Sequence, residues 1–174
     1  MRAASAGQAC CRHHPAPVRT GAIIKLVPRA LWWFRWGAMV TFLAGALMYL
    51  IRMHEMGVGL FFGSSYGVTI SIGGLIGTLM FLNVWLVIWP AQQVVIASAN
   101  KVASGGQPLP DAAARGRRAG LTSRTNTVFS IPMLFFMGAA SHLQGLGIPR
   151  SGLVFWIGAI VIMALVEINA LQAT

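Results

Sequence analysis

Two histidines and two methionines are the side chains of this sequence best suited to binding a metal. The string RMHEM places Met53, His54 and Met56 within one helical turn, and His142 closes an apolar run much later in the chain. Imidazoles from two facing helices can ligate one haem iron from both sides. A thioether beside an imidazole instead favours copper, which prefers soft ligands. Haem and copper, both redox-active, are therefore the candidate groups at these residues.

The positions of the two histidines favour one shared site. His54 ends the first apolar run and His142 lies near the end of the third, and alternate helices of an up-and-down bundle run in the same direction. We therefore expect both histidines at the same face of the bundle. There His54 and His142 would be ligands of haem b, or Met53, His54 and Met56 would be ligands of copper. A helix C-terminus also favours an imidazolium by itself. The third interpretation is therefore two interfacial histidines and no cofactor.

Other catalytic chemistry has little support in the sequence. It shows no Gly-rich phosphate loop, no Ser/His/Asp set and no zinc-ligand spacing, and it has only 3 acidic residues for general acid–base chemistry. Cys10 and Cys11 are adjacent in a polar segment, so they indicate no disulfide framework.

The composition predicts an all-α integral membrane protein. Of the 174 residues, 56% are hydrophobic and 9% are charged, whereas soluble domains average about 25% charged residues. A basic tail, residues 1–29, is predicted to be disordered and to precede a membrane domain at residues 30–174. Four apolar runs in that domain, each near the length of about 20 residues that crosses a bilayer, are predicted as transmembrane helices. They cover residues 31–53, 66–90, 126–145 and 152–171.

The distribution of positive charge predicts the topology. The sequence has 13 Lys and Arg residues, and most lie in the tail and in the loop predicted at residues 91–125. Because cytoplasmic loops carry the excess of Lys and Arg, the N-terminus, this loop and the C-terminus should be cytoplasmic. A net charge of +10 would suggest nucleic acid in a soluble protein, but between apolar runs it indicates orientation, so no nucleic-acid partner is expected.

The connections between the runs carry weaker signals. MGVGLFFGSSY, between the first two runs, is predicted as an interfacial loop. In the cytoplasmic loop, AQQVVIASANKVA can continue the second helix, SGGQPLP should break it, and Asp111 can cap a short basic helix, AAARGRRAG.

Polar residues within the runs gather at one depth. Five of them are predicted to form a buried cluster in the cytoplasmic half: Arg35, Asn83, Arg124, Asn126 and Glu167. Glu167 is the one acid inside an apolar run, so it should be neutral or paired, with Arg35 or Arg124 as partner. The cluster is either a structural bridge between helices or a proton-relay or quinone-contacting site.

Small and aromatic residues indicate how the helices should pack. Close helix contacts are expected at residues with little or no side chain. These are Gly37, Thr41 and Gly45 in the first run, Gly73 and Gly77 in the second, Gly138 in the third and Gly158 in the fourth. Five tryptophans lie toward the cytoplasmic ends, as in an aromatic belt. They are Trp32, Trp33, Trp36, Trp85 and Trp89.

Three separated segments together resemble the N-terminal membrane domain of cytochrome-c-linked urate hydroxylases, also called urate oxidases. They are WWFRWGAMVTFLAG (32–45), IGGLIGTLMFLNVWLVIWPAQQVV (72–95) and SRTNTVFSIPMLFFMGAASH (123–142). The matching positions are Trp33, Phe34, Arg35, Trp36, Gly73, Gly77, Thr78, Asn83, Val84, Pro90, Gln92, Asn126, Pro132, Leu134, Phe135, Met137 and His142. The likeness runs from about residue 32 to the end and covers the C-terminal half of the family domain.

The resemblance implies membrane redox chemistry and a link to urate oxidation to 5-hydroxyisourate. His142 has a counterpart in the family pattern and His54 has none. The family's additional helices and its C-terminal cytochrome c domain have no match in this sequence. We therefore expect an oxidoreductase subunit that is not an enzyme by itself.

Three functional hypotheses follow. The first is a multi-pass subunit or domain of a bacterial inner-membrane redox assembly, in contact with lipid, other membrane subunits and a c-type cytochrome. The second is a non-catalytic scaffold of a respiratory or photosynthetic complex. The third is a stand-alone haem b or copper membrane protein.

The predicted topology has a direct test. A reporter enzyme fused after Thr174 is expected to be active on the cytoplasmic side, because an even number of crossings returns the chain to the side on which it started. The fusion is assayed in a pair, with one reporter active only in the cytoplasm and one active only outside it. A signal from the outer reporter alone would show that one crossing has been miscounted.

Overall fold

The regular structure is helical throughout residues 24–143 and 153–172, the part of the chain that this computed structural model describes. The elements are α1 (Val27–Met56), α2 (Val58–Gly63), α3 (Ser65–Leu82), a π-helical segment (Asn83–Ile88), α4 (Trp89–Ala103), α5 (Ala112–His142) and α6 (Leu153–Gln172). The predictions for residues 1–23, including Cys10 and Cys11, and for the outer segment 146–151 lie outside the described residues.

Two stretches of helix are long and apolar enough to cross a membrane. They are α1, with 30 residues, and the continuous helix Ser65–Ala103, with 39 residues. About 20 residues suffice for the hydrocarbon core, so both also extend beyond it. A shorter apolar helix covers Trp156–Asn169. The all-α class is confirmed for the described residues, and the crossings by α5 and α6 stay predictions.

The helices extend into the loop that was predicted at residues 91–125. As expected, α4 continues past Pro90 to Ala103, and the chain turns at Gly105, whose φ of +83° suits glycine. The basic stretch after Asp111 is not a short separate helix, because α5 runs unbroken from Ala112 to His142. Alanine and arginine favour helix and no proline intervenes before residue 132. Asp111 precedes the helix, but its side chain makes no capping hydrogen bond.

The segment between the first two runs contains a helix where a loop was predicted. Ser64 fixes this connection, since its Oγ accepts from the amide of Gly67 at 3.0 Å and donates to the carbonyl of Phe61 at 2.7 Å. The same turn brings the Phe61 carbonyl and ring against the Cα of Gly67. Only glycine fits there, because a Cβ would overlap the Phe61 oxygen.

The first helix packs antiparallel along the second membrane-length helix. The rings of Phe42 and Phe81 stack with their centres 4.3 Å apart, and Tyr49 Oη lies 2.7 Å from Ser71 Oγ. Later residues of α1 thus meet earlier residues of α3, as in a hairpin. Nevertheless, no residue of α1 between Val27 and Met56 is fully buried by the described chain.

The tightest packing lies between α3 and α5. Val68, Ile72 and Ile76 of α3 form the core with Phe129 of α5. Gly73 lets α5 come close, since a Cβ there would stand 3.0 Å from Met137 Cγ.

The prediction for the small residues is confirmed for α3 alone. Gly73 and Gly77 face Met133 and Met137 of α5. At four other predicted contacts, no described neighbour lies within 4 Å of where a Cβ would stand, so that prediction is wrong for this part of the chain. These are Gly37, Gly45, Gly138 and Gly158.

The contact at Gly67 gives a matched pair of substitutions. Gly67→Ala should destabilise the protein by about 1–3 kcal/mol, because its methyl group must displace the Phe61 carbonyl. Gly74→Ala in the same helix has open space and should be neutral or stabilising, by up to about 1 kcal/mol. Thermal unfolding in detergent measures both. Equal melting temperatures would contradict the close approach.

Candidate functional site

An asparagine amide connects three helices at the centre of the predicted cluster. Asn83 Nδ2 donates to Asn126 Oδ1 of α5 at 2.9 Å and to Glu167 Oε2 of α6 at 3.0 Å. An amide nitrogen carries two hydrogens, so it can make both bonds at once. Asn83 is 4% exposed and Glu167 8%. The structure thus brings together three of the five predicted cluster residues.

The second asparagine binds the backbone near the π-helical segment. Asn126 Nδ2 donates to the carbonyl oxygen of Met80 at 3.0 Å, three residues before the π-helical turns begin. Pro90 follows those turns closely, and in a regular helix its ring would clash with the carbonyl four residues earlier. Wider π-helical turns relieve such a clash, and they are frequent at functional sites. The π-helical segment therefore lies between Pro90 and the Met80 carbonyl that Asn126 binds.

Two oxygens beside this network have no hydrogen-bond partner among the described residues. They are Glu167 Oε1 and Thr122 Oγ1, and the Thr122 side chain is fully buried. Thr122 precedes Asn126 by four residues, which places both on the same face of α5. An unpartnered buried polar group costs free energy, so such a group in a native protein calls for a chemical reason. Glu167 Oε1 is therefore an open hydrogen-bonding position of the cluster among the described residues.

Neither predicted arginine pairs with Glu167. The Arg35 guanidinium carbon lies 4.1 Å from the ring centre of Trp89 and 4.7 Å from that of Trp85, and Arg124 is exposed on α5. The ion pair found in the described residues joins Arg52 to Glu55 at 3.1 Å, on the surface. Arginine pairing of Glu167 is thus wrong for this part of the chain, because a flat guanidinium stacks well on indoles and Asn83 takes the carboxylate.

The two histidines do not form an enclosed site in the described chain. His54 and His142 are both exposed at the ends of their helices. The helix carrying His54 packs on α2, α3 and the π–α4 stretch, whereas His142 belongs to α5. Met53 and Met56 are half-buried, and the described residues contain no group of three or more His, Cys, Asp or Glu able to hold a metal ion. The haem and copper hypotheses therefore stay predictions.

Some residues of the site were not found from the sequence. Thr122 gave no signal beyond its spacing of four from Asn126, and Tyr49 was not expected to bond Ser71 across the hairpin. Two tryptophans of the predicted belt contact each other, with ring centres 6.1 Å apart for Trp36 and Trp85, and their position at a membrane surface stays a prediction. The contact of these tryptophans with the Arg35 guanidinium was not predicted.

The Asn83 network can be tested by stability. Asn83→Ala removes the donor to Glu167 and Asn126 and should lower the free energy of unfolding by about 1–3 kcal/mol. Asn100→Ala alters an exposed asparagine of α4 and should change it by less than about 0.5 kcal/mol. Denaturation by SDS in mixed micelles compares the two. A neutral Asn83→Ala would mean that the hydrogen bonds contribute nothing net.

The comparison with protein families gives a match that contains this whole network. The model described as urate oxidase N-terminal matches residues 53–169, including Asn83, Asn126 and Glu167. The first of the three resembling segments, residues 32–45, precedes the matched range. Neither the curated proteins nor the solved structures searched contain a match. Since more than half of its residues fit that model, the chain belongs to the urate oxidase N-terminal family.

Proposed function

We propose that the chain is a multi-pass subunit or domain of a bacterial inner-membrane redox assembly related to urate hydroxylases. The observation that carries this proposal is the family match over residues 53–169. In this proposal α5 and α6 cross the membrane together with the two longer apolar stretches. Both termini are then cytoplasmic, and electrons pass to a c-type cytochrome.

The polar cluster gives the proposal a chemical role for the chain. Hydroxylation of urate by water releases protons together with electrons, and the protons need an acceptor. Ionisable residues inside membrane segments commonly belong to proton pathways. Glu167 Oε1 is buried and unpartnered while Oε2 is held by Asn83, so the carboxyl group is oriented with one oxygen free. In our proposal Glu167 takes up a proton there and passes it on.

The exposed apolar faces support contact with lipid and with other membrane subunits. Trp33 is 71% exposed in α1, and Ile131 is 72% exposed in α5. Such surface is stable only against lipid or another apolar surface. In this proposal the electron acceptor is the haem of the partner cytochrome, and the chain alone does not turn over urate.

A non-catalytic scaffold would use the same faces. The observation that favours it is α1, which the described chain leaves without a buried residue along its 30 residues. A scaffold needs the polar network for stability but has no need of an acid at residue 167. Removing the acid while retaining the hydrogen bond therefore distinguishes the two functions.

The experiment measures urate-dependent reduction of the c-type cytochrome in membranes that contain the complete assembly. Glu167→Gln keeps an acceptor for the Asn83 amide but cannot take up a proton. We expect the rate of reduction to fall by about tenfold or more. Glu55→Gln is the matched control, since Glu55 lies exposed near the end of α1 and should leave the rate unchanged.

The amount of assembly in each membrane is measured alongside the rate. Unchanged rates in Glu167→Gln, at equal amounts of assembly, would contradict the proton role and favour the scaffold. If wild-type membranes show no urate-dependent reduction although the cytochrome is present, the redox proposal itself is wrong.

A further inference from the structure

A cationic side chain lies among three tryptophans where α1 meets the π–α4 stretch. The guanidinium carbon of Arg35 lies 4.1 Å from the ring centre of Trp89, 4.7 Å from that of Trp85 and 5.4 Å from that of Trp36. The family proposal gives this group no role, and the structure separates it from Glu167. Indole faces attract the cation but accept no conventional hydrogen bond from it.

Two hydrogen-bond donors in this group lack an acceptor. Arg35 Nε and Trp85 Nε1 are both buried atoms without a partner in the described part of the chain, and no carboxylate there pairs with the guanidinium. Both atoms can only donate. Unmet donors together with an uncompensated positive charge indicate that an anionic oxygen is the missing component. Because Arg35 is half-buried, its guanidinium is also partly accessible from outside.

The surroundings favour an oxygen that belongs to a membrane lipid. Exposed apolar side chains flank the arginine, with Trp32 47% and Val40 65% exposed on α1 and Leu86 68% exposed beside Trp85. Together they offer a surface for acyl chains. Tryptophans typically lie at the headgroup level of a bilayer, where phosphate groups are found.

We propose that Arg35 and Trp85 bind the phosphate group of an anionic membrane phospholipid, whose acyl chains lie along α1 and the π-helical segment. Arg35 Nε and Trp85 Nε1 are enclosed by their neighbours, so the side chains must part when the phosphate enters. The guanidinium and the indole N–H then donate to the phosphate oxygens, and Trp36 and Trp89 hold the guanidinium in place. The bound lipid fastens the start of α1 to the π–α4 stretch. This site is independent of the redox function, so it can be present in a scaffold as well.

The test uses the full chain in a neutral detergent and counts bound lipid by native mass spectrometry. Phosphatidylglycerol is the anionic probe, phosphatidylcholine the zwitterionic one, and inorganic phosphate the free anion. We expect the wild type to retain one phosphatidylglycerol and to bind phosphatidylcholine and free phosphate at least about tenfold more weakly. Arg35→Gln should weaken phosphatidylglycerol binding about tenfold, and Trp85→Phe, which keeps an aromatic ring but loses the N–H, about threefold.

Arg29→Gln is the matched control, since it removes the same charge from an exposed position of the same helix. It should change retention by less than about twofold if Arg35 forms a site. Gel filtration and helical circular dichroism confirm that each variant is folded. Arg35→Lys is a second variant that keeps the charge without the planar fork, and it should also bind more weakly.

Three outcomes would overturn the proposal. One is equal loss of phosphatidylglycerol in Arg29→Gln and Arg35→Gln, which would indicate diffuse attraction by positive charge. Another is a wild type that retains no phospholipid. The third is binding of inorganic phosphate as tight as that of phosphatidylglycerol, which would assign the site to a soluble anion.

Discussion

A polar group buried among packed helices must find its hydrogen bonds within the protein, and the Asn83 amide shows how this chain meets that requirement. Its two hydrogen bonds hold α5 and α6 against the end of α3, through Asn126 and Glu167. If these helices cross a membrane as we propose, hydrophobic attraction does little between them, because lipid tails are equally apolar. Polar contacts and close packing must therefore fix the arrangement. A further bond from Asn126 to Met80 ties the same network to the backbone.

The continuous helix Ser65–Ala103 carries one partner surface for each of the other long helices. Its first part presents Gly73 to α5, and its π-helical segment presents Asn83 to α5 and α6 and Trp85 to α1. The π-helical segment thus contributes to two polar groups of the described chain. Asn83 binds the acid Glu167, and Trp85 contacts the cation Arg35. Glu167 is bonded to Asn83 and Arg35 stacks on Trp85, so the two charged residues form no ion pair with each other in the described chain.

The sequence predicted the helices well, because the length of an apolar run is read directly from consecutive residues. The position of a polar residue along such a run is read in the same way. The apolar runs became helices, and Asn83, Asn126 and Glu167 met as expected from their common depth. Partner choice depends on the rotation of each helix, which one sequence does not reveal. Arg35 therefore contacts the tryptophans instead. Gly37 and Gly45 have open space, although together with Thr41 they repeat the four-residue spacing of Gly73 and Gly77. The start of α5 was also missed. The basic stretch before residue 126 is helical because its residues favour helix, and its low hydropathy gave no sign of this.

Asn83 and Glu167 should form one energetically coupled unit, and a double-mutant cycle measures that coupling. The free energy of unfolding is measured for the wild type, Asn83→Ala, Glu167→Ala and the double variant under the same detergent conditions. We expect a coupling free energy of about 0.6–2 kcal/mol, as for hydrogen bonds between membrane helices. Additive effects within about 0.3 kcal/mol would show that the two side chains do not act together and would contradict the account.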